Sequence, residues 1–143
     1  MGQGSYVALM FGTKLTKAQE KKRGKVTRQE TYKGDDGKEA AYDVYLHEDI
    51  GEAAVKARVK TPRGAYECED SYLGYRIAAS SGVGPLDLDV GAVPLSKLEA
   101  WARKKYAPKI KAARENWNAY VKVCAGFGLV LPEGELMLVA DYD

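Results

Sequence analysis

The stretch SKLEAWARKKYAPKIKAARENWNAYVKVCAG, Ser96–Gly126, decides the fold class. Its apolar positions Leu98, Ala102, Tyr106, Ile110, Ala113, Trp117, Val121 and Cys124 recur at steps of four and three. That is the spacing of one helical face turned toward a core. Ser96 and Glu99 have capping-box spacing, which predicts Ser96 as N-cap. Pro108 lacks an N–H and its ring clashes with the preceding turn, so it kinks or divides the helix, and Gly126 ends it. Trp101 and Trp117 read as packing anchors.

Outward from this helix the chain is dominated by strand patterns. Tyr6–Phe11, YVALMF, is apolar at every position and reads as a strand buried on both faces. Thr16 with Gln19 predicts a short basic helix ending near Arg23 and Gly24. Lys25–His47 reads as a hairpin about the turn Gly34-Asp-Asp-Gly37, with a first arm so polar that it should lie at an edge or project. Residues 53–60 alternate cleanly, Ala53, Val55, Ala57 and Val59 against Lys56, Arg58 and Lys60, which predicts a strand. Tyr72–Ala79, Leu86–Val90 and Leu136–Tyr142 complete the strand set. The expectation is a single α+β domain over residues 1–143: a mostly antiparallel sheet of five to seven strands, packed on one face against the long, proline-interrupted C-terminal helix.

Composition agrees with a folded chain that needs no staple. Of 143 residues, 45% are hydrophobic and 29% charged, and a chain of this size buries roughly 68–70% of its unfolded surface. The longest nonpolar run, Val123–Leu131, is about half the ~18 residues of a membrane span. Met1-Gly-Gln-Gly-Ser carries no leader pattern, so a cytoplasmic protein is expected, with Cys68 and Cys124 as free thiols. Net charge is +2, but eight basic residues stand against two acidic ones in both Lys14–Lys33 and Lys97–Lys122. Local fields therefore exceed what the total suggests.

Catalytic patterns are weak. His47, the one histidine, has no G-x-S-x-G nucleophile to serve. Cys68 lies between Glu67 and Glu69, carboxylates that raise a thiol pKa. Two thiols and one imidazole fall short of a zinc site. Asp87 and Asp89 share one strand face and suit a divalent cation only if further donors join them. Ser80–Gly84 lacks the Gly-Lys-Ser/Thr ending of a phosphate loop. No cofactor, metal site or catalytic set is expected.

The reading that follows is a non-enzymatic binding protein for a phosphate-bearing ligand, a nucleotide or nucleic acid. Its site would be a basic, tyrosine-bearing sheet face of Tyr45, Lys56, Arg58, Lys60, Tyr72 and Arg76, with Gly74 leaving a flat place for a planar group. Rings stack on bases while cations neutralise phosphates. Lys17, Lys21, Lys22, Arg23, Lys25 and Arg28 form a secondary basic patch, able to hold a polyanion without reading bases. The alternative is a small protein-interaction module or inhibitor, of a phage-like accessory or anti-defence kind, because Tyr and Arg also suit protein interfaces. A metal-assisted phosphodiester hydrolase using Asp87 and Asp89 is the second alternative.

Overall fold

The computed structural model describes residues 5–65, 71–81 and 91–142. Along the chain it forms β1 (Ser5–Lys14), α1 (Lys17–Arg23), β2 (Val26–Lys33), β3 (Glu39–Tyr45), α2 (Leu46–Lys56), β4 (Arg63–Ala65) and β5 (Tyr72–Ser81). A 3-10 turn (Leu95–Lys97), α3 (Leu98–Lys105), α4 (Ala107–Ala125) and β6 (Glu135–Tyr142) follow. The fold is α+β, with helices packed on an antiparallel sheet of order β4-β5-β1-β6. β2 and β3 form a separate two-stranded ribbon. One sheet of five to seven strands was expected; among the described residues the strands divide into four and two.

β1 takes a central place because both its faces are apolar. Ala8, Leu9, Met10 and Phe11 are all buried. Leu9 and Phe11 join Leu73, Tyr75 and Ile77 of β5 and the stripe Ile110, Ala113, Trp117, Tyr120 and Cys124 of α4. Ala8 and Met10 turn to the opposite face, with Tyr72, Ala79, Met137 and Val139. β1 and β5 approach closely at the pair Gly12↔Gly74. A Cβ on Gly12 would lie 2.0 Å from the Leu73 carbonyl oxygen, and one on Gly74 2.9 Å from that of Phe11. Gly74 is thus required by strand–strand contact, and not as a landing place for a ligand ring.

The proline break falls as its chemistry demands. α3 ends and α4 begins at Tyr106, and Pro108 lies in the first turn of α4, where its missing N–H has no helical partner to lose. Gly126 is the C-cap, and Thr16 and Gln19 form the full capping box of α1, at 3.1 and 2.8 Å.

Two expectations are corrected. Residues 53–60 are not a strand: Leu46, Ile50 and Ala54, four apart, are the buried face of helix α2. The alternating alanines and valines belong to its last turns and exit. α2 closes with Val59 N–H donating to the Ala54 carbonyl at 2.8 Å and Arg58 N–H to that of Val55 at 3.0 Å, a Schellman close that puts Arg58 at φ 59°. Nor is Ser96 an N-cap. Pro94 draws the chain into a 3-10 turn through Lys97 N–H to its carbonyl, 2.9 Å, and α3 starts after Lys97 without a side-chain cap. Cys68, the Leu86–Val90 strand with Asp87 and Asp89, and residues 82–84 of the Ser80–Gly84 loop lie outside the described residues.

Candidate functional site

The six residues expected to share a sheet face do not do so. Tyr45 ends β3 and stacks on His47, centroids 5.8 Å apart and planes within 3°. Lys56 is in the last turn of α2 and pairs with Glu52 at 3.1 Å. Arg58 occupies the left-handed position of the helix close. Lys60 is exposed between α2 and β4, and its carbonyl accepts from the Tyr75 hydroxyl. Arg76 is exposed on β5, but Tyr72 on the same strand is only 5% exposed, enclosed with Met10 and Ala79. The row of cations beside an open ring is not formed, because its first strand is a helix and its ring is core.

The secondary basic patch is partly absorbed by the fold. Lys17 and Lys21 project from α1, and Lys25 is exposed just after it. Lys22 donates through Nζ to the Gly128 carbonyl. Arg23 is buried, close enough to His47 and Cys124 for its charge to act on both. Arg28 is taken up by Glu30, at 2.8 Å, and Asp49. Asp49 also accepts from the Thr27 hydroxyl at 2.7 Å, and Glu30 from that of Tyr42 at 2.7 Å. This chain of contacts ties the ribbon to α2.

Titratable groups in the interior are tuned toward inertness. Burial, then the Arg23 charge, holds His47 below its ordinary range, so it is neutral near pH 7. Burial pushes the Cys124 thiol up to about 11, away from the thiolate a nucleophile needs. Among the described residues, no three His, Cys, Asp or Glu side chains gather as a metal site.

Among the described residues a concave feature lies elsewhere, between α3 and β6. α4 covers β1 and β5, whereas α3 faces Leu9 and β6 across a groove of about 530 Å³. Its lining is mostly apolar, including Leu9, Leu98, Trp101, Ala102, Leu136 and Leu138. The β1–β6 register sets Leu9 opposite Leu138 and Phe11 opposite Leu136, which places both β6 leucines on the helix-facing side. Leu138 nevertheless remains 52% exposed, and Leu95 at the groove's rim 88%. Trp101 is fixed edge-on to Tyr106, centroids 5.9 Å apart, with the Lys105 ammonium 5.0 Å from its ring. Glu99 and Arg103 pair at 2.8 Å along one rim, and the β6 stretch Glu135–Leu138 forms the opposite side. Among the described strands β6 is the outermost on its side of the sheet, and none pairs with its second edge.

This groove was missed from sequence. The signals were Leu95, an apolar residue outside the helical stripe, and Leu138, whose exposure depends on β6 being an edge. Among the described residues, no helix is long and apolar enough to cross a membrane. No protein-family model, curated protein or solved structure matches the chain.

Proposed function

We propose that this chain is a non-enzymatic, cytoplasmic protein-interaction module whose partner seats apolar side chains in the α3–β6 groove. One observation carries the reading: an apolar groove of about 530 Å³ flanked by the solvent-exposed leucines Leu95 and Leu138. Apolar surface left in water costs about 25 cal/mol per Å², which a partner's side chains recover. Contiguous apolar surface with a charged rim is the usual anatomy of a docking site.

The test uses the immobilised protein, its Leu138→Asp variant and a Lys17→Ala/Lys21→Ala variant in parallel. A partner retained at high salt by wild type and the lysine variant, and lost by Leu138→Asp, supports groove docking. Equal retention by all three removes it.

A second reading, nucleotide or nucleic-acid binding, is supported by a different observation. Arg103, Lys104, Lys105, Lys109 and Lys111 are all exposed around the α3–α4 junction, and Lys17 and Lys21 on α1. These helical cations replace the expected sheet face as the footprint for a polyanion. Binding of this kind weakens steeply with salt, in proportion to the phosphates neutralised. Co-purifying absorbance at 260 nm that high salt removes, and that falls in a Lys109→Ala/Lys111→Ala variant, is its signature.

A further inference from the structure

We infer that the partner enters as an extended strand added to the free edge of β6, with an apolar-x-apolar-basic pattern whose basic residue meets Glu135. The inference rests on the docking reading above and names the chemistry of the occupant. β6 is eight residues long, ELMLVADY, and pairs with β1 without a register shift. Protein edges are ordinarily blunted by lysine, proline or a bulge. This strand has none of the three and runs beside the apolar groove, so an added strand gains backbone hydrogen bonds and a side-chain pocket together.

The pattern follows from pleat and charge. Leu136 and Leu138 point to the groove side, while Glu135 falls on the other face by alternation. Directly opposite residues of an antiparallel pair share a face. A partner residue opposite Leu138 and another two positions on, opposite Leu136, are therefore apolar. The next residue stands opposite Glu135. Glu99 is already neutralised by Arg103 at 2.8 Å, whereas Glu135 has no ion pair with a described residue, so a cation complements it. A second copy of this chain fits less well. Its β6, ELMLVADY, carries no basic residue to stand opposite Glu135.

The probes are the capped hexapeptide Thr-Leu-Thr-Val-Lys-Thr, the same peptide with Glu in place of Lys, and two forms carrying backbone N-methyl groups on alternate residues. Binding is followed through Trp101 emission in the full chain, with Leu138→Asp as reference. The lysine peptide is expected to bind about three- to tenfold more tightly than the glutamate peptide at low salt, a difference that Glu135→Gln reduces below about twofold. One alternate set of N-methyl groups abolishes binding and the other leaves it, a pattern only strand pairing produces. Equal binding of the charge variants, loss or retention in both methylated forms, or no binding of the lysine peptide at millimolar concentration overturns the inference. The groove reading then still stands if Leu138→Asp releases a retained partner. Concentration-dependent self-association that Leu138→Asp abolishes makes the occupant a second copy and likewise overturns it.

Discussion

Replacing Gly134 by alanine tests whether the segment that delivers β6 to the sheet is packed as described. A Cβ at this position would stand 2.3 Å from Cε1 and 2.8 Å from Cδ1 of Phe11, and 2.9 Å from Cδ1 of Trp117. Carbon atoms in contact prefer about 3.5–4.0 Å, so the overlap exceeds 1 Å at the worst contact. Neither ring has room to yield, since Phe11 is 3% and Trp117 0% exposed, and the indole N–H is fixed at 3.1 Å to the Pro132 carbonyl. An added methyl in such a site costs about 1–3 kcal/mol. For a chain of this length that lowers Tm by about 4–12 °C. Thermal unfolding followed by circular dichroism reads the change. Gly51→Ala is the control of opposite sign. Gly51 sits inside α2 with nothing within 4 Å of a built Cβ, so alanine there raises stability by about 0.5–1 kcal/mol. Phe11→Leu introduced into the Gly134→Ala chain should recover part of the loss. If Gly134→Ala melts within about a degree of wild type, the Phe11–Trp117–Gly134 contact is wrong, and the placement of β6 and its groove with it.

Trp117→Ala, emptying a fully buried site, is expected to destabilise by about 3–5 kcal/mol in denaturant unfolding; a loss under about 1 kcal/mol refutes the α4 core. Arg58→Gly should stabilise by about 0.5–1 kcal/mol, because the left-handed φ of 59° that strains arginine suits glycine. The Arg28 guanidinium holds Asp49 below its ordinary 3.8, and the Tyr42 hydroxyl, then Arg28, holds Glu30 below 4.5. Depressed carboxyl pKa values stabilise above the unfolded values and stop doing so as pH falls through the folded ones. Amide protection factors in Val26–Tyr45 should therefore drop below about pH 4 while those of β1 and β5 persist. Cys124, buried with its thiol pushed up to about 11, should resist alkylation at neutral pH until the chain is denatured, as mass mapping of that residue will show.

The elements readable from sequence were those whose pattern and boundary chemistry agreed. β1 was apolar from Tyr6 to Phe11, α1 had its box, the ribbon had its Gly-Asp-Asp-Gly turn, and α3 and α4 shared an eight-position stripe broken by Pro108. α2 was misread because two periodicities overlap: Leu46, Ile50 and Ala54 step by four, while Ala53 to Val59 step by two. The helix begins at Tyr45 without a capping side chain, so no start signal arbitrated, although Glu48 and Asp49 in its first turn and Lys56 in its last suit the helix dipole. That one misreading displaced Lys56, Arg58 and Lys60 together. At Ser96 the box spacing was present, but the constraint from Pro94 prevailed. Tyr72 was assigned outward by alternation, correctly as to face, yet that face of the sheet is itself buried there. The groove depends on which strand lies at the edge, a property of topology that local pattern does not encode.

The place of β1 also bears on how the chain acquires its structure. Its neighbours come from residues 72–81 and 135–142, and Tyr6 ends up opposite both Ser81 of β5 and Asp141 of β6. Such pairings close long loops before any contact rewards them, which places the sheet among slow, high-contact-order topologies, although the helices and the ribbon can form locally. Until β6 arrives, this strongly apolar strand has one unpaired side, and its sequence YVALMF is open to intermolecular pairing. Yield on refolding should therefore be governed by concentration and by the arrival of β6, and much less by the helices.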